Sequence, residues 1–491
     1  MKNLIVILVL LSPVFAFSQA ESRMLTLTQV IDIAQKQSPD ALAAMHRFRS
    51  SYWQYRNYKA GLMPMLTLNA TMPSLSRSLE KITTQEGDFF YERNVANYSS
   101  GLSLTKNIGL TGGQVFLNSS LQRIDLFGDS TITSYLSSPL NIGISQPIFS
   151  YNPYKWLKKT EPLKYNEAER RYLEDVEKVA ISATDLFFSL LDAQMRLRIQ
   201  QTNMANNDTL YQIARGRYNI GTIAENELLQ IELSLLNARS AVENANLEVE
   251  VKTFDLKSFL RLADNEIVRL VSPPAPPAQT PDPKVAISEA HENRADALAF
   301  SRRLIEAESN VNKARAENRF NANLFAVYGL SQTSDQLANV YRDPKADQRL
   351  ELGIQVPILD WGLAKGKIKL AESEQDLQQT AVQQDIIDFD QEIFLKVMQF
   401  SIQQNQLLIA AKSDTVAQKR YEVTKQRYLI GKIGITDLNI AQNEKDNARQ
   451  GYIAALHDYW RSYYELRKLT LYDFVNNKRL TFNFDAIPDV N

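Results

Sequence analysis

Arg217–Tyr218–Asn219–Ile220–Gly221–Thr222–Ile223 is a turn between two long helical patterns. It recurs 210 residues further on as Arg427–Tyr428–Leu429–Ile430–Gly431–Lys432–Ile433. Each glycine can take the positive φ that ends a helix without a Cβ clash. Each turn opens a new helical pattern with Asn-Ala-Arg at the same place, Asn237–Arg239 and Asn447–Arg449. Upstream, the same offset relates Gly143-Ile144 and Pro147-Ile148 to Gly353-Ile354 and Pro357-Ile358. The chain therefore reads as two copies of one unit. Nearer the start the register changes, and Asp40–Leu42 matches Asp296–Leu298 at an offset of 256. The first copy thus carries 46 additional residues between Leu68 and Gly143, the difference between the two offsets. An insertion of that length fits a loop or an added hairpin.

Composition narrows the class. The 491 residues include 55 basic and 56 acidic side chains, a net charge of −1 that steers the chain to no nucleic acid. Cysteine is absent. That excludes disulfides, thiolate metal sites, a cysteine nucleophile and a lipidated N-terminal cysteine. The first residues read as an export signal over 1–20, with Lys2, an apolar run Leu4–Leu11 and the small-residue site Ser18-Gln19-Ala20. An exported, cysteine-free, charge-balanced chain points to a Gram-negative envelope.

Leu25–Ala60 reads as helix, capped at Thr28 and broken at Ser38-Pro39. Met65–Thr71, Tyr98–Thr105, Gly113–Leu121 and Leu140–Ile148 alternate as strands, and so does Gln348–Val356; Leu324–Leu330 is apolar on both faces. Strands with one apolar face suit a transmembrane barrel, and alternation alone also allows a soluble hairpin on a core. Pro147 and Pro357 are expected to close strands and open the helices that follow. Long helices are predicted from about Tyr154 to Arg217 and from Leu363 to Arg427. Each is followed by a return helix of about 37 residues, or roughly 55 Å.

The first return helix carries a five-heptad seam. Leu228, Leu235, Val242, Val249 and Leu256 form one line; Ile231, Ala238, Ala245, Lys252 and Phe259 form the other. In the second copy the expected seam is Ala441, Ala448, Ala455 and Leu469, with Leu438, Lys445, Tyr452, Tyr459 and Leu466 beside it. The proline-rich stretch 271–283 is a stiff connector. The organisation is then a first repeat over 21–270, the connector, a second repeat over 284–475, and a polar tail over 476–491.

Three histidines, His46, His291 and His457, lack ligand spacing, and no nucleophile–base set or phosphate loop is present. No enzyme activity and no cofactor are expected. Glu227 and Asp437 each lie six residues after the turn glycine, with Glu225 nearby. They are ordinary first-turn acids favoured by the helix dipole, or, in an oligomer, an acidic ring at one end of a tube.

The twofold repeat, the Arg-Tyr-x-x-Gly turns, the proline-terminated strands, the Asn-Ala-Arg helices and the Gln146–Phe149 junction together resemble the TolC family of outer-membrane efflux channels, from about Leu25 to Phe474. The resemblance implies a mainly helical chain with a β part: long antiparallel coiled-coil helices forming a periplasmic tunnel, and strands given to one barrel shared by a homotrimer in outer-membrane lipid. It places the turns at Gly221 and Gly431 at the periplasmic tips, where an adaptor protein served by an inner-membrane pump docks. The tip and gate candidates are Arg217, Tyr218, Gly221, Glu225, Glu227, Arg427, Tyr428, Gly431 and Asp437. Tyr428 and Asp437 match the family's gate tyrosine and one ring acid. The family's lock arginine falls on Ile433 and a second ring acid on Ile440, so Arg217 and Arg427 are candidate substitutes. The implied function is the exit duct of a tripartite pump for small molecules. Alternatives are the exit duct of a type I protein secretion system, or a periplasmic coiled-coil scaffold without a barrel.

Overall fold

The computed structural model describes residues 22–85, 87–263, 267–274 and 281–484. The expected leader over 1–20 lies outside them, as do 275–280 of the connector and 485–491 of the tail. In chain order the elements are β1 (Ser22–Leu25), α1 (Leu27–Gln37), α2 (Pro39–Gly61), β2 (Met65–Thr84), β3 (Gly87–Asn107), β4 (Gln114–Phe127), β5 (Ile132–Ile148), α3 (Pro153–Asn219), α4 (Glu225–Leu260), β6 (Ile267–Leu270), α5 (Pro283–Asn293), α6 (Ala295–Glu317), β7 (Asn321–Ser334), β8 (Lys345–Gln355), α7 (Leu363–Leu429), α8 (Ile435–Thr470), β9 (Tyr472–Asp473) and β10 (Lys478–Arg479). The repeat is visible in these bounds. Helices α3 and α7 are related by 210 residues at both ends, and so are α4 and α8. Helices α1 and α5, and α2 and α6, are related by 256.

Local chemistry sets the boundaries. Helix α1 is capped by Thr26, whose hydroxyl accepts from the Gln29 amide while the Gln29 side chain accepts from the Thr26 N–H, a capping box. The cap is therefore not Thr28, because Leu25 still belongs to β1, which pairs in parallel with β6. Asp282 caps α5 with Pro283 as its first residue, where a missing N–H is harmless. Pro147 lies inside β5 and α3 opens at Pro153 instead. Beyond β8, the Asp360 carboxylate accepts from the amides of Gly362 (3.0 Å) and Ala364 (2.8 Å), and α7 starts there rather than at Pro357. Helices α3 and α7 each hold 67 residues, about 100 Å of helix. Among the described residues no helix is long and apolar enough to cross a membrane.

The chain divides into two units. Of the described residues, the helical unit takes those within 22–46, 172–294 and 391–482. Phe187, Phe188 and Leu190 of α3, Leu256 and Leu260 of α4, Ile393 of α7, and Ile453 and Leu456 of α8 are buried in it. On α4 the expected seam is buried at Ile231, Leu235, Ala238, Val242, Ala245 and Leu256. On α8 the expected seam is buried at both ends, at Leu438 and Ala441 and at Tyr459, Leu466 and Leu469, and departs in the middle: Asp446, Ile453 and Leu456 are buried, while Ala448, Tyr452 and Ala455 are half-buried. Asp446 holds an ion pair with Lys445 at 3.1 Å and accepts from the Asn203 amide at 2.7 Å, which turns that side of α8 inward.

Helix α7 is apolar on two opposite sides. Ile393, Phe400, Leu407, Tyr421 and Tyr428 fall on one heptad line and are buried. Two positions on along the helix, Leu395, Ile402, Ile409, Val416 and Val423 form a second line at sevenfold spacing, continued by Ile430 just past the helix end, and every one is between 53% and 66% exposed. Two residues are about 200° around a helix. The first line therefore meets the chain's own helices and the second faces away from them. Helix α4 likewise exposes Leu229, Leu233, Leu236, Leu247, Val251 and Phe254.

A buried ion cluster ties α3 to the end of α8. Arg467 donates to Glu177 at 2.9 Å and lies 3.8 Å from Asp473, which accepts from the Tyr463 hydroxyl at 3.0 Å. Burial pushes the Glu177 carboxyl up to about 7 against the pull of Arg467. The described part of the tail, 475–484, which carried no reading in the sequence, packs back onto the chain. Arg479 reaches Glu289 and Glu292, and the Phe482 ring meets Tyr172 at 5.0 Å.

Of the described residues, the sheet unit takes those within 47–171, 295–390 and 483–484. Its six strands run antiparallel in the order β2-β3-β4-β5-β7-β8. The first copy gives four and the second gives two. One row across the sheet reads Leu66, Leu104, Leu117, Ile142, Tyr328, Gln348, all directly paired. The adjacent row, on the other face, reads Thr67, Ser103, Asn118, Asn141, Gly329, Asp347. The first five residues of the apolar row are exposed. On the polar face Phe116 lies across Gly143 and stacks on Phe325 at 5.8 Å, and a Cβ at Gly143 would stand 2.2 Å from the Phe116 ring. Strands β2 and β3 outrun their neighbours: β3 pairs with β4 only from Asn94 onward. The projecting ribbon is laced by Arg93–Glu80 (2.9 Å), Lys81–Asp88 (2.8 Å) and Arg77–Glu92.

Candidate gate at the helical turns

Both turns of the repeated motif close alike. Gly221 and Gly431 hold φ of +74° and +73°. The Gly221 amide donates to Tyr218 O at 2.9 Å and the Thr222 amide to Arg217 O at 2.9 Å; Gly431 and Lys432 repeat these bonds to Tyr428 O and Arg427 O at 2.9 and 3.0 Å. These are the bonds that satisfy the last carbonyls of a helix when the residue after it is left-handed. Thr222 adds a hydroxyl bond to Arg217 O at 2.9 Å. Helices α4 and α8 then start from Ala224 and Gly434, neither with a side-chain cap, so the acids Glu225, Glu227 and Asp437 of their first turns face uncapped helix N-termini.

The side chains break this symmetry. Tyr428 is 3% exposed whereas its counterpart Tyr218 is 40% exposed. Tyr428 belongs to a core of Leu210, Ala214, Ile231, Tyr421, Ile435, Leu438 and Ala441, with Ile223, Leu228 and Ile433 at its margin. Arg217, from the first copy's turn, crosses to the second. It donates to Leu429 O at 3.0 Å, and its guanidinium stands 5.9 Å from the Tyr428 ring centre. Burial raises the Tyr428 pKa above the usual tyrosine value, the Glu227 charge adds to that, and Arg217 opposes it. Arg217 and Tyr428 therefore come together, and Glu227 acts on the phenol through its charge. Arg427, Glu225 and Asp437 remain exposed, and so does Ile440.

A ladder of polar contacts continues the junction along α3. Asn206 donates to the Tyr421 hydroxyl (3.4 Å) and accepts from Lys425 (3.3 Å). The buried Asn203 donates to Asp446 at 2.7 Å, and the Lys445 ammonium stands 4.3 Å from the Tyr421 ring centre. Positions 203, 206, 210, 214 and 217 are spaced by three and four, so they share one face of α3. Sequence reading missed this ladder. Its signal was the pair Asn203 and Asn206 on a face that elsewhere carries Leu210 and Ala214. His457 pairs with Asp185 at 2.9 Å, and among the described residues no cluster of acids and histidines is arranged to hold a metal ion.

Comparison with known proteins places this architecture. The sequence profile of the outer membrane efflux protein family matches residues 30–260 and 286–470, and the chain belongs to that family. It is accordingly an outer-membrane channel protein that extends into the periplasm, and not an enzyme. The Campylobacter jejuni CmeC outer membrane channel has a similar fold, with a TM-score of 0.66 at 18% identity over 93% of this chain and 87% of that one. VceC of Vibrio cholerae gives 0.63 at 13% identity, covering 93% and 97%. The open-state MtrE channel of Neisseria gonorrhoeae gives 0.60 at 15%, covering 93% and 91%. A protein of Haemophilus influenzae described as uncharacterized is 28% identical over 120 residues, 22% of this chain and 26% of that protein's length.

Proposed function

We propose that three copies of this chain form the outer-membrane exit duct of a tripartite efflux pump, passing small molecules outward through a periplasmic tunnel. The observation that carries this reading is the second apolar heptad line of α7, Leu395 to Val423, every residue of which is more than half exposed. A helix with two apolar sides needs two packing partners. Its own hairpin supplies one and a neighbouring copy, through the exposed leucines of α4, supplies the other. The 21–270 and 284–475 repeats, joined by the 271–283 connector, alternate around the ring, and a leader over 1–20 directs export.

The turns at Gly221 and Gly431 are the periplasmic tips, where an adaptor served by an inner-membrane pump engages. Arg217 on Tyr428 and Leu429 holds the two hairpins of one copy together and so holds the tip closed. Glu225, Glu227 and Asp437, repeated by the oligomer, select cations at the entrance. Nothing in this scheme requires the chain to bind nucleotide, so the pump drives flow. The test is a planar-bilayer recording of purified channels. Tyr428→Ala and Arg217→Ala channels are expected to conduct more than the parent, and Asp437→Asn channels to lose cation preference. Variants indistinguishable from the parent would remove the gate assignment. Deleting the gene tests the duct itself: sensitivity to toxic small molecules should rise while protein secretion is unchanged.

A further inference from the structure

The 46 residues that the first copy adds correspond to strands. The second copy passes from helix to sheet and back with one hairpin, β7–β8; the first uses four strands, and the extra pair, β3 and β4, lies between β2 and β5. An external loop or lid would leave β2 paired to β5. Here the added strands carry the sheet's hydrogen bonds on both sides. Their connecting turn sits at the end where α3 begins, since Asn152 donates to Gly109 O and Leu110 O at 3.0 and 3.1 Å. The strands therefore run the full height of the sheet. They also keep its two-faced pattern in register. Leu104 and Leu117 stand in the exposed apolar row, and Ser103 and Asn118, hydrogen-bonded at 2.6 Å, stand in the polar row behind it.

We infer that hairpin β3–β4 is part of the lipid-facing wall of the barrel, so that three copies close an outlet of eighteen strands, six from each copy. The inference rests on the trimeric duct proposed above. Among the described residues of one copy no strand pairs with the outer edges of β2 and β8, and backbone groups left open in lipid are not tolerated. The β8 edge of one copy must therefore pair with the β2 edge of the next. Two strands from each repeat would have made twelve. Barrel diameter grows roughly in proportion to strand number, and barrels of about 16–18 strands enclose an aqueous channel. The outlet is then about half as wide again, and the helical tip alone limits the size of what passes.

The absence of cysteine makes the test direct. Single cysteines at Leu104, Leu117, Ser103 and Asn118 are labelled with an environment-sensitive fluorophore in the full-length protein, reconstituted in phosphatidylcholine vesicles, and exposed to brominated lipid or to iodide. Leu102→Cys serves if Leu104→Cys does not assemble. Labels at Leu104 and Leu117 should be quenched severalfold more by brominated lipid, and those at Ser103 and Asn118 by iodide. Leu66 with Thr67 on β2, and Leu350 with Arg349 on β8, act as reference pairs. If the reference pairs alternate and the hairpin sites are all quenched by iodide alone, the hairpin is a lid or plug, and the wider barrel is overturned while the duct stands. If no pair alternates, the membrane barrel itself is wrong.

Discussion

Tyr428 shows how one residue type at two equivalent positions does two jobs. Its ring fills a core between the hairpins, while Tyr218 is left at the surface. Removing the ring with Tyr428→Ala should cost about 3 kcal/mol of packing between the hairpins. Tyr428→Phe, which keeps the ring, should cost less than about 1.5 kcal/mol. Protease sensitivity at the turns would separate the two variants. The phenol's pKa is raised in the folded chain, so its contribution is fully present below the ordinary tyrosine pKa and is lost as pH rises through the folded value. Tip opening should therefore increase on the alkaline side only. Glu177 follows the same sign in a more accessible window. Its stabilising effect is complete below about 4.5 and is lost as pH rises through about 7. Glu177→Gln should melt higher than the parent at pH 8, with the gap closing toward pH 4.5; a gap that does not change with pH would contradict the burial argument.

Among the elements, helix α7 carries the most consequence. Ile409→Glu with Val416→Glu puts two charges on its outward line and leaves the buried line of Phe400, Leu407 and Tyr421 intact. Helix content by circular dichroism should be unchanged, while the oligomer dissociates in gel filtration. Gly221→Val tests the turn. At φ +74° a β-branched residue should cost about 1–2 kcal/mol, although no atom stands within 4 Å of the added Cβ.

Helices and turns were legible in the sequence because their determinants are local and written twice: the Arg-Tyr-x-x-Gly turns, the heptads of α4 and the offset of 210 residues. The cap of α1 was read at Thr28 and missed at Thr26, although Thr26 and Gln29 stand at capping-box spacing. The extent of β2 and β3 was obscured by polar residues and by the register shift between Thr71 and Ser74. Alternation is the only strand signal, and a bulge resets it. The Arg217–Tyr428 contact was out of reach in detail, because a symmetric motif does not say which copy's arginine meets which copy's tyrosine. The second line of α7 was readable at sevenfold spacing, but it gains meaning only once the first line is known to be covered.

At the scale of the whole molecule, one chain is an incomplete object. The sheet has two open edges and an exposed apolar face, and the helical unit has an uncovered apolar line on α7 and exposed leucines on α4. Soluble monomers rarely leave so much apolar surface open, and lipid does not accept an open edge. A closed ring of identical copies in a membrane resolves both. The measurement that bears most directly on this account is electron microscopy of the protein extracted from membranes in detergent. The account predicts a hollow particle with threefold symmetry that carries a long tube. A monomer, or a thread-like particle soluble without detergent, would contradict it and leave the strands as a soluble hairpin array on a coiled-coil scaffold.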